Sequence, residues 1–299
     1  MLESFSVIFI SIIFEAMPFV FLGTLVSSLI EVYVSSEWLV GKIGKKQLRF
    51  YILAGLIGFI MPVCECAIVP IMRRLVKKGV PLSIAITFML ATPIVNPVVL
   101  LSTYYAFAGD WIFVVGRGLL GYIGAVTIGI IVERLSGKEA VLKDKEVTSC
   151  GCGHDHHHDH HHTSHKSKLQ HVLNHLGTEF IDVSKYLIVG AFIASCMQVV
   201  VPRHMITQIS NNTFASIGIM MLLAFVLSLC SEADAFIAAT FRKVFPNSAI
   251  IAFLIYGPMI DIKNTMMLLS SFKTKFVIKL IATITVICFI LGMLSLLFM

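Results

Sequence analysis

Eight apolar runs, each long enough to cross a bilayer, set the first limit on what this 299-residue chain can fold into. A spanning helix needs about 20 mostly apolar residues, because the hydrocarbon core is about 30 Å thick and a helix rises about 1.5 Å per residue. The runs fall at roughly 5–34, 49–76, 80–107, 111–133, 176–201, 214–243, 248–271 and 276–298. Charged residues make up only 13% of the chain, about half the usual share in globular proteins. That scarcity excludes a soluble enzyme, a secreted disulfide scaffold and a disordered chain. The first run has no basic segment before it and is too long for a signal-peptide core, so it reads as a spanning helix. The expected fold is an all-α integral membrane protein of about eight transmembrane helices.

Between the fourth and fifth runs lies the one long hydrophilic segment. It divides the chain into a first membrane unit (1–135), a Cys- and His-rich loop (136–175) and a second membrane unit (176–299). The two membrane units echo one another. Cys64-Glu65-Cys66-Ala67 corresponds to Cys230-Ser231-Glu232-Ala233, Thr92-Pro93-Ile94-Val95-Asn96 to Gly257-Pro258-Met259-Ile260-Asp261, and Glu15 and Gly23 to Asp182 and Gly190. Anchors in the same order at a near-constant offset predict two four-helix repeats with proline-interrupted central helices. An even number of spans per repeat makes the repeats parallel, and an odd number makes them inverted. The excess of Lys and Arg in the loops after runs 2, 4 and 6 over those after runs 1 and 7 predicts that both termini and the His-rich loop are cytoplasmic.

The motifs that carry chemistry lie mid-run. Prolines 62 and 70 bracket Cys64-Glu65-Cys66. Proline removes a backbone donor and opens the helical ladder, and open backbone at membrane depth is tolerated only inside protein or beside a water-filled path. Thiolates select soft ions, and an intramembrane carboxylate marks a functional site by default. The second unit offers Cys230, Glu232 and Asp234, whose charges are too costly at the bilayer centre to be ornamental. Asn96 follows Pro93, and Asp261 follows Pro258 and precedes Lys263 and Asn264. Cys64, Glu65, Cys66, Asn96, Cys230, Glu232, Asp234 and Asp261 are thus the expected substrate path. Glu15 and Asp182 are the candidates for a proton relay.

The central loop contains Cys150, Cys152, His154, His156, His157, His158, His160, His161 and His162. This composition binds metal, and the absence of a fixed finger spacing points to a chelating tail with exchangeable geometries. The remaining cysteines give no pairing scheme for disulfides. No phosphate-cradling glycine loop or nucleophile elbow occurs. The expectation is a secondary-type transporter, not an enzyme, and nothing suggests nucleic-acid binding.

Met61-Pro-Val-Cys-Glu-Cys-Ala-Ile-Val-Pro70, Ala91-Thr-Pro-Ile-Val-Asn-Pro97 and Leu229-Cys-Ser-Glu-Ala-Asp-Ala-Phe236 resemble the bacterial predicted-permease family that includes the trivalent organoarsenical efflux permeases. The His-rich loop is most similar to its branch regarded as copper/zinc efflux transporters. The resemblance implies a role in substrate handling for Cys64 and Cys66, and a second membrane or periplasmic subunit as partner. Together the residues and the resemblance predict a permease exporting Zn(II) or Cu(I), with these ions as substrate or loop-bound species and no obligatory cofactor. The alternatives are efflux of a trivalent organoarsenical, a membrane metal sensor or assembly factor, and a thiol-redox protein using Cys64 and Cys66. The bilayer and further copies of the chain complete the expected partners.

Overall fold

The computed structural model describes residues 2–37, 48–60, 63–135, 142, 165–200 and 212–298. The described chain is helical: α1 (Leu2–Tyr33), α2 (Leu48–Ile60), α3 (Glu65–Lys77), α4 (Leu82–Val95), α5 (Pro97–Ala106), α6 (Trp111–Leu135), α7 (His165–Val200), α8 (Thr213–Leu227), α9 (Ser231–Thr240), α10 (Asn247–Met259), α11 (Ile262–Ser271) and α12 (Thr274–Leu294). Within α6 the ladder widens to a π-helical turn at Gly116–Leu120. Helix α7 starts inside the segment expected to be loop, because Leu169, Val172, Leu173 and Leu176 recur at helical spacing and Val172 and Leu176 are buried.

Among the described residues, six stretches are long and apolar enough to cross a membrane: Glu3–Tyr33, Leu82–Ala106, Trp111–Leu135, Val172–Val200, Asn247–Ser271 and Thr274–Leu297. The two other expected spans, 49–76 and 214–243, are not single crossings. A Cβ on Gly58 would meet Thr92 Cα at 2.5 Å, one on Gly55 would lie 3.5 Å from Ala91 Cβ, and Tyr51 hydrogen-bonds Ser83 at 2.9 Å. Helices α2 and α4 therefore run the same way. Helix α3 runs against them, since only a short turn separates Lys77 from Leu82. The same pairing recurs in the second unit. Gly257 approaches Ala224, while Ala252 and Ile217 both close on Gly292, so α8 and α10 run alike and α9 runs back. Each of the two segments is a helical hairpin, open around the Cys-containing tip, that returns to the face it came from. At 13 and 15 residues, their first arms rise about 20 Å, well short of a bilayer core.

Helix directions then follow from contacts. Helix α1 runs with α3, as Gly23 meets Ala67 and Ser27 and Glu31 meet Arg74. It runs against α7, through Phe21 on Phe180, Met17 on Ser184 and Phe9 on Phe192. Helix α6 runs against α4, with Gly121 on Ile94 and Gly129 on Thr87. Helix α12 runs against α10, with Gly292 on Ala252 and Cys288 Sγ 3.5 Å from Met259 Sδ. One end of the bundle thus collects Tyr33, Leu48, Lys77, Leu82, Leu135, His165, Ser271 and Thr274. The opposite end collects Leu2, Ala106, Trp111, Val200, Thr213, Thr240, Asn247 and Leu294. Leu2 and Leu294 lie at the end opposite Leu135 and His165, the described residues that flank segment 136–164, where termini and loop were expected on one side; counting each hairpin as a crossing led to that expectation.

The two faces are fastened differently. At the loop face, Arg74 pairs with Glu31 at 3.1 Å and Glu179 at 3.0 Å, and Ser27 donates to Glu179 at 2.9 Å. There Lys78 also caps the carbonyls of Glu31 and Val34. Tyr51 joins Ser83 and Glu133 beside them. At the terminal face, Arg242 pairs with Asp110 at 2.6 Å and stacks over Phe113.

The α1–α3 seam rests on glycine. A Cβ at Gly23 would come within 2.4 Å of the Ala67 carbonyl oxygen and 2.7 Å of its Cα, whereas one at Gly177 would meet nothing within 4 Å. Gly23→Val is expected to destabilise the fold by about 1–3 kcal/mol, the usual range for overpacking, while Gly177→Ala leaves it unchanged. Thermal unfolding of the detergent-solubilised protein measures the difference.

Candidate functional site

The two hairpin tips meet the breaks in the spans 82–106 and 247–271 at the middle of the bundle. Each break needs partners for the backbone groups it frees. Asn96 Oδ1 accepts from Val98 N at 3.0 Å, at the head of α5. Asp261 Oδ1 accepts from Asn264 N at 2.6 Å, at the head of α11. Ser228, buried in the left-handed conformation (φ 49°), turns the second hairpin, and its hydroxyl accepts from Ile262 N at 3.0 Å. Gln198 donates to the Leu227 carbonyl at 2.6 Å, closing the end of α8. The motif residues therefore cap broken helices as well as facing one another.

Charge is concentrated in the same place. Glu65, Asp234 and Asp261 are each 1% exposed and Lys263 is 3% exposed. Lys263 Nζ lies 3.6 Å from Asp261 Oδ2 and 3.9 Å from Glu65 Oε1, joining the second unit to the tip of the first hairpin. Ser231 at the other tip donates to Glu65 Oε2 at 3.3 Å, so the hairpins touch tip to tip. Glu65, Glu232 and Asp234 lie in the first turns of α3 and α9, where the positive end of the helix dipole favours a carboxylate. Glu65 Oε1, Asp234 Oδ2 and Asp261 Oδ2 are buried without a hydrogen-bond donor.

Thiols complete the site. Cys64 and Cys66 are both buried at the first hairpin tip, and Cys230 donates to half-buried Glu232 at 2.6 Å. Cys64, Glu65, Cys66, Cys230 and Lys263 line a cavity of about 10 Å³, closed on the α1 side by Ile12, Glu15, Ala16 and Phe19. That is the space of one water or one small ion. Among the described residues no group of three or more His, Cys, Asp or Glu side chains is arranged to hold a metal ion.

Of the path residues read from the sequence, Cys64, Glu65, Cys66 and Cys230 share this cavity. Glu232 hydrogen-bonds Cys230, Asp261 reaches the site through Lys263, and Asn96 and Asp234 lie at neighbouring breaks. Glu15, exposed on α1, reaches the cavity edge. Asp182 is 42% exposed beside Lys185 on α7 and does not line the cavity. Cys150, Cys152 and the histidines of 154–162 lie outside the described residues.

Sequence reading passed over Arg117. It is fully buried in the π-helical turn and donates to Thr103 Oγ1 and to the Ser231 carbonyl, both at 2.9 Å. A lone arginine between two glycines in an apolar run was the available signal. Lys263 was noted only as the neighbour of Asp261.

Leaving a buried hydrogen-bond group without its partner costs about 1–3 kcal/mol, more where the missing partner is charged. Arg117→Met strips Thr103 Oγ1 and the Ser231 carbonyl of their donor and is expected to lose at least that much stability. Thermal unfolding of the detergent-solubilised variant checks this, and stability equal to wild type would refute the anchoring role.

Comparison with known proteins places this geometry in a lineage. The model of a family described as predicted permease matches residues 1–296. UPF0718 protein YcgR of Bacillus subtilis is 45% identical over 280 residues, covering 94% of this chain and 92% of the relative. A Streptococcus mutans protein named "Putative two-component membrane permease complex subunit" is 40% identical over 292 residues, covering 96% and 95%. UPF0718 protein YraQ of Escherichia coli is 26% identical over 113 residues, 38% of this chain and 32% of its own length. No solved structure matches. With the match running nearly end to end, the chain belongs to the predicted permease family.

Proposed function

We propose that this permease moves a thiophilic cation, Zn(II) or Cu(I), out of the cytoplasm through the central cavity. The observation that carries the reading is the cavity itself, where three thiols and Glu65 converge at the meeting of two hairpin tips. Soft thiolates suit these ions, and the space admits one ion at a time. The 10 Å³ volume describes a closed state, which must widen at one face and then the other for passage. Glu65, Asp234 and Asp261 supply carboxylates able to exchange protons against the cation, with Asn96 and Glu232 beside them and Glu15 at the cavity edge. The name of the S. mutans relative supports a second subunit here too.

A second reading, efflux of a trivalent organoarsenical, draws on the same three thiols and on the lack of histidine in the cavity lining. Zn(II), Cu(I) and methylarsenite fluxes compared in proteoliposomes of the purified chain, with and without its partner subunit, decide between them. Zn(II) or Cu(I) flux is expected. Cys64→Ser is expected to lower it about tenfold or more, given that even residues behind metal ligands cost 10–100-fold. Methylarsenite flux alone would select the second reading. Binding of all three without flux would make the chain a sensor or assembly factor.

Three crossings and one hairpin per unit make an odd number, so the repeats are inverted about an axis in the membrane plane. Orientation follows from Lys and Arg. Arg49, Arg73, Arg74, Lys77, Lys78, Arg134, Lys273 and Lys275 sit at or near the loop face, from which segments 38–47 (Lys42, Lys45, Lys46) and 136–164 (Lys138, Lys143, Lys145) depart. The terminal face has Arg242 and Lys243, and Arg203 in the segment that leaves it. The positive-inside rule makes the loop face cytoplasmic and both helix termini external. The His-rich loop would then gather metal inside the cell, where export begins. In intact cells, an impermeant thiol reagent is expected to label a cysteine placed at residue 298 and to spare Cys150 and Cys152. The reverse pattern would overturn the orientation.

A further inference from the structure

Lys263 has no counterpart in the first unit, where Val98 takes the equivalent place after Asn96. It sits at the second position of α11 with its backbone pinned: a Cβ on Gly190 of α7 would lie 3.0 Å from Lys263 Cα. Its side chain is buried and ends between two carboxylates. The contacts to Asp261 and Glu65, 3.6 and 3.9 Å, are both longer than a hydrogen bond. The oxygens it faces, Asp261 Oδ2 and Glu65 Oε1, have no other donor although both residues are 1% exposed. The same ammonium borders the thiol-lined cavity. A flexible point charge on a four-carbon stem therefore occupies the electrostatic position between two carboxylates that a permeating cation needs.

We propose that Lys263 is a tethered counter-ion of the permeation site. It stands between Glu65 and Asp261 and offsets one of their two charges when no substrate is bound, gives them up when a metal cation enters beside Cys64, Cys66 and Cys230, and returns to expel the cation. This role rests on the cation-permease reading. Like charges cannot share one carboxylate pair, so ammonium and metal compete, and the competition keeps binding weak enough for release. A static salt bridge in the same place would only hold the units together.

The two roles separate in transport kinetics of the full chain in proteoliposomes, with Zn(II) and Cu(I) each tested alone. Lys263→Met removes the competitor. It is expected to lower KM by about tenfold, within the usual range of coupling between sites, and to lower kcat because release slows. Since this variant leaves two buried acids unpaired, the comparison is repeated between Asp261→Asn and Asp261→Asn/Lys263→Met, which removes charge in a pair. A lower KM on loss of Lys263 in either background supports the proposal. A KM unchanged or raised in both, with wild-type flux intact, overturns it and leaves the cation reading standing. Absence of Zn(II) and Cu(I) flux in the wild type overturns both.

Discussion

Backbone polar groups in a membrane have no water to turn to, and the centre of this protein is organised around that constraint. Four helical segments are opened at mid-depth, each freeing N–H and C=O groups that would cost several kcal/mol apiece if left bare in lipid. The partners are polar side chains of the motifs and of neighbouring helices: Asn96, Asp261 and Ser228 accept from the heads of α5 and α11, while Gln198 and Arg117, outside the motifs, donate to the carbonyls of Leu227 and Ser231. Polar residues are present because the helices are broken. The breaks persist because these residues satisfy them.

Charge follows from the same arrangement. Three fully buried carboxylates face two fully buried cations, an imbalance that helix N-termini relieve only in part. Arg117 is anchored by two hydrogen bonds at 2.9 Å, whereas Lys263 stands between its two carboxylates at longer range.

Much of this was legible before any coordinates. The apolar runs identified a helical membrane protein, and the residues that interrupt them, Cys64, Glu65, Cys66, Cys230 and Asp261, are those that gather near the centre. The hairpins were not legible from hydropathy, since two half-length apolar helices around a short polar turn have the same profile as one kinked span. Charge could have revealed them. Run 49–76 begins at Arg49 and ends beside Arg73, Arg74, Lys77 and Lys78, and basic residues at both ends place both ends on one side. Reading loops one at a time hid that symmetry. Arg117 escaped because attention to paired motifs discounts a residue with no counterpart.

The hairpins also bear on how the molecule is built. With arms too short to bridge a bilayer and polar tips, neither hairpin can rest in lipid as an independent inserted element, and neither tip has its partners until both units are present. Glu65 waits for Ser231 and Lys263, more than 160 residues downstream in the case of Ser231. The six long helices can enter the membrane in the order of synthesis, whereas the conducting centre closes only when the last spans arrive. Assembly of this permease is therefore cooperative across its whole length, and a truncated chain has crossings but no path.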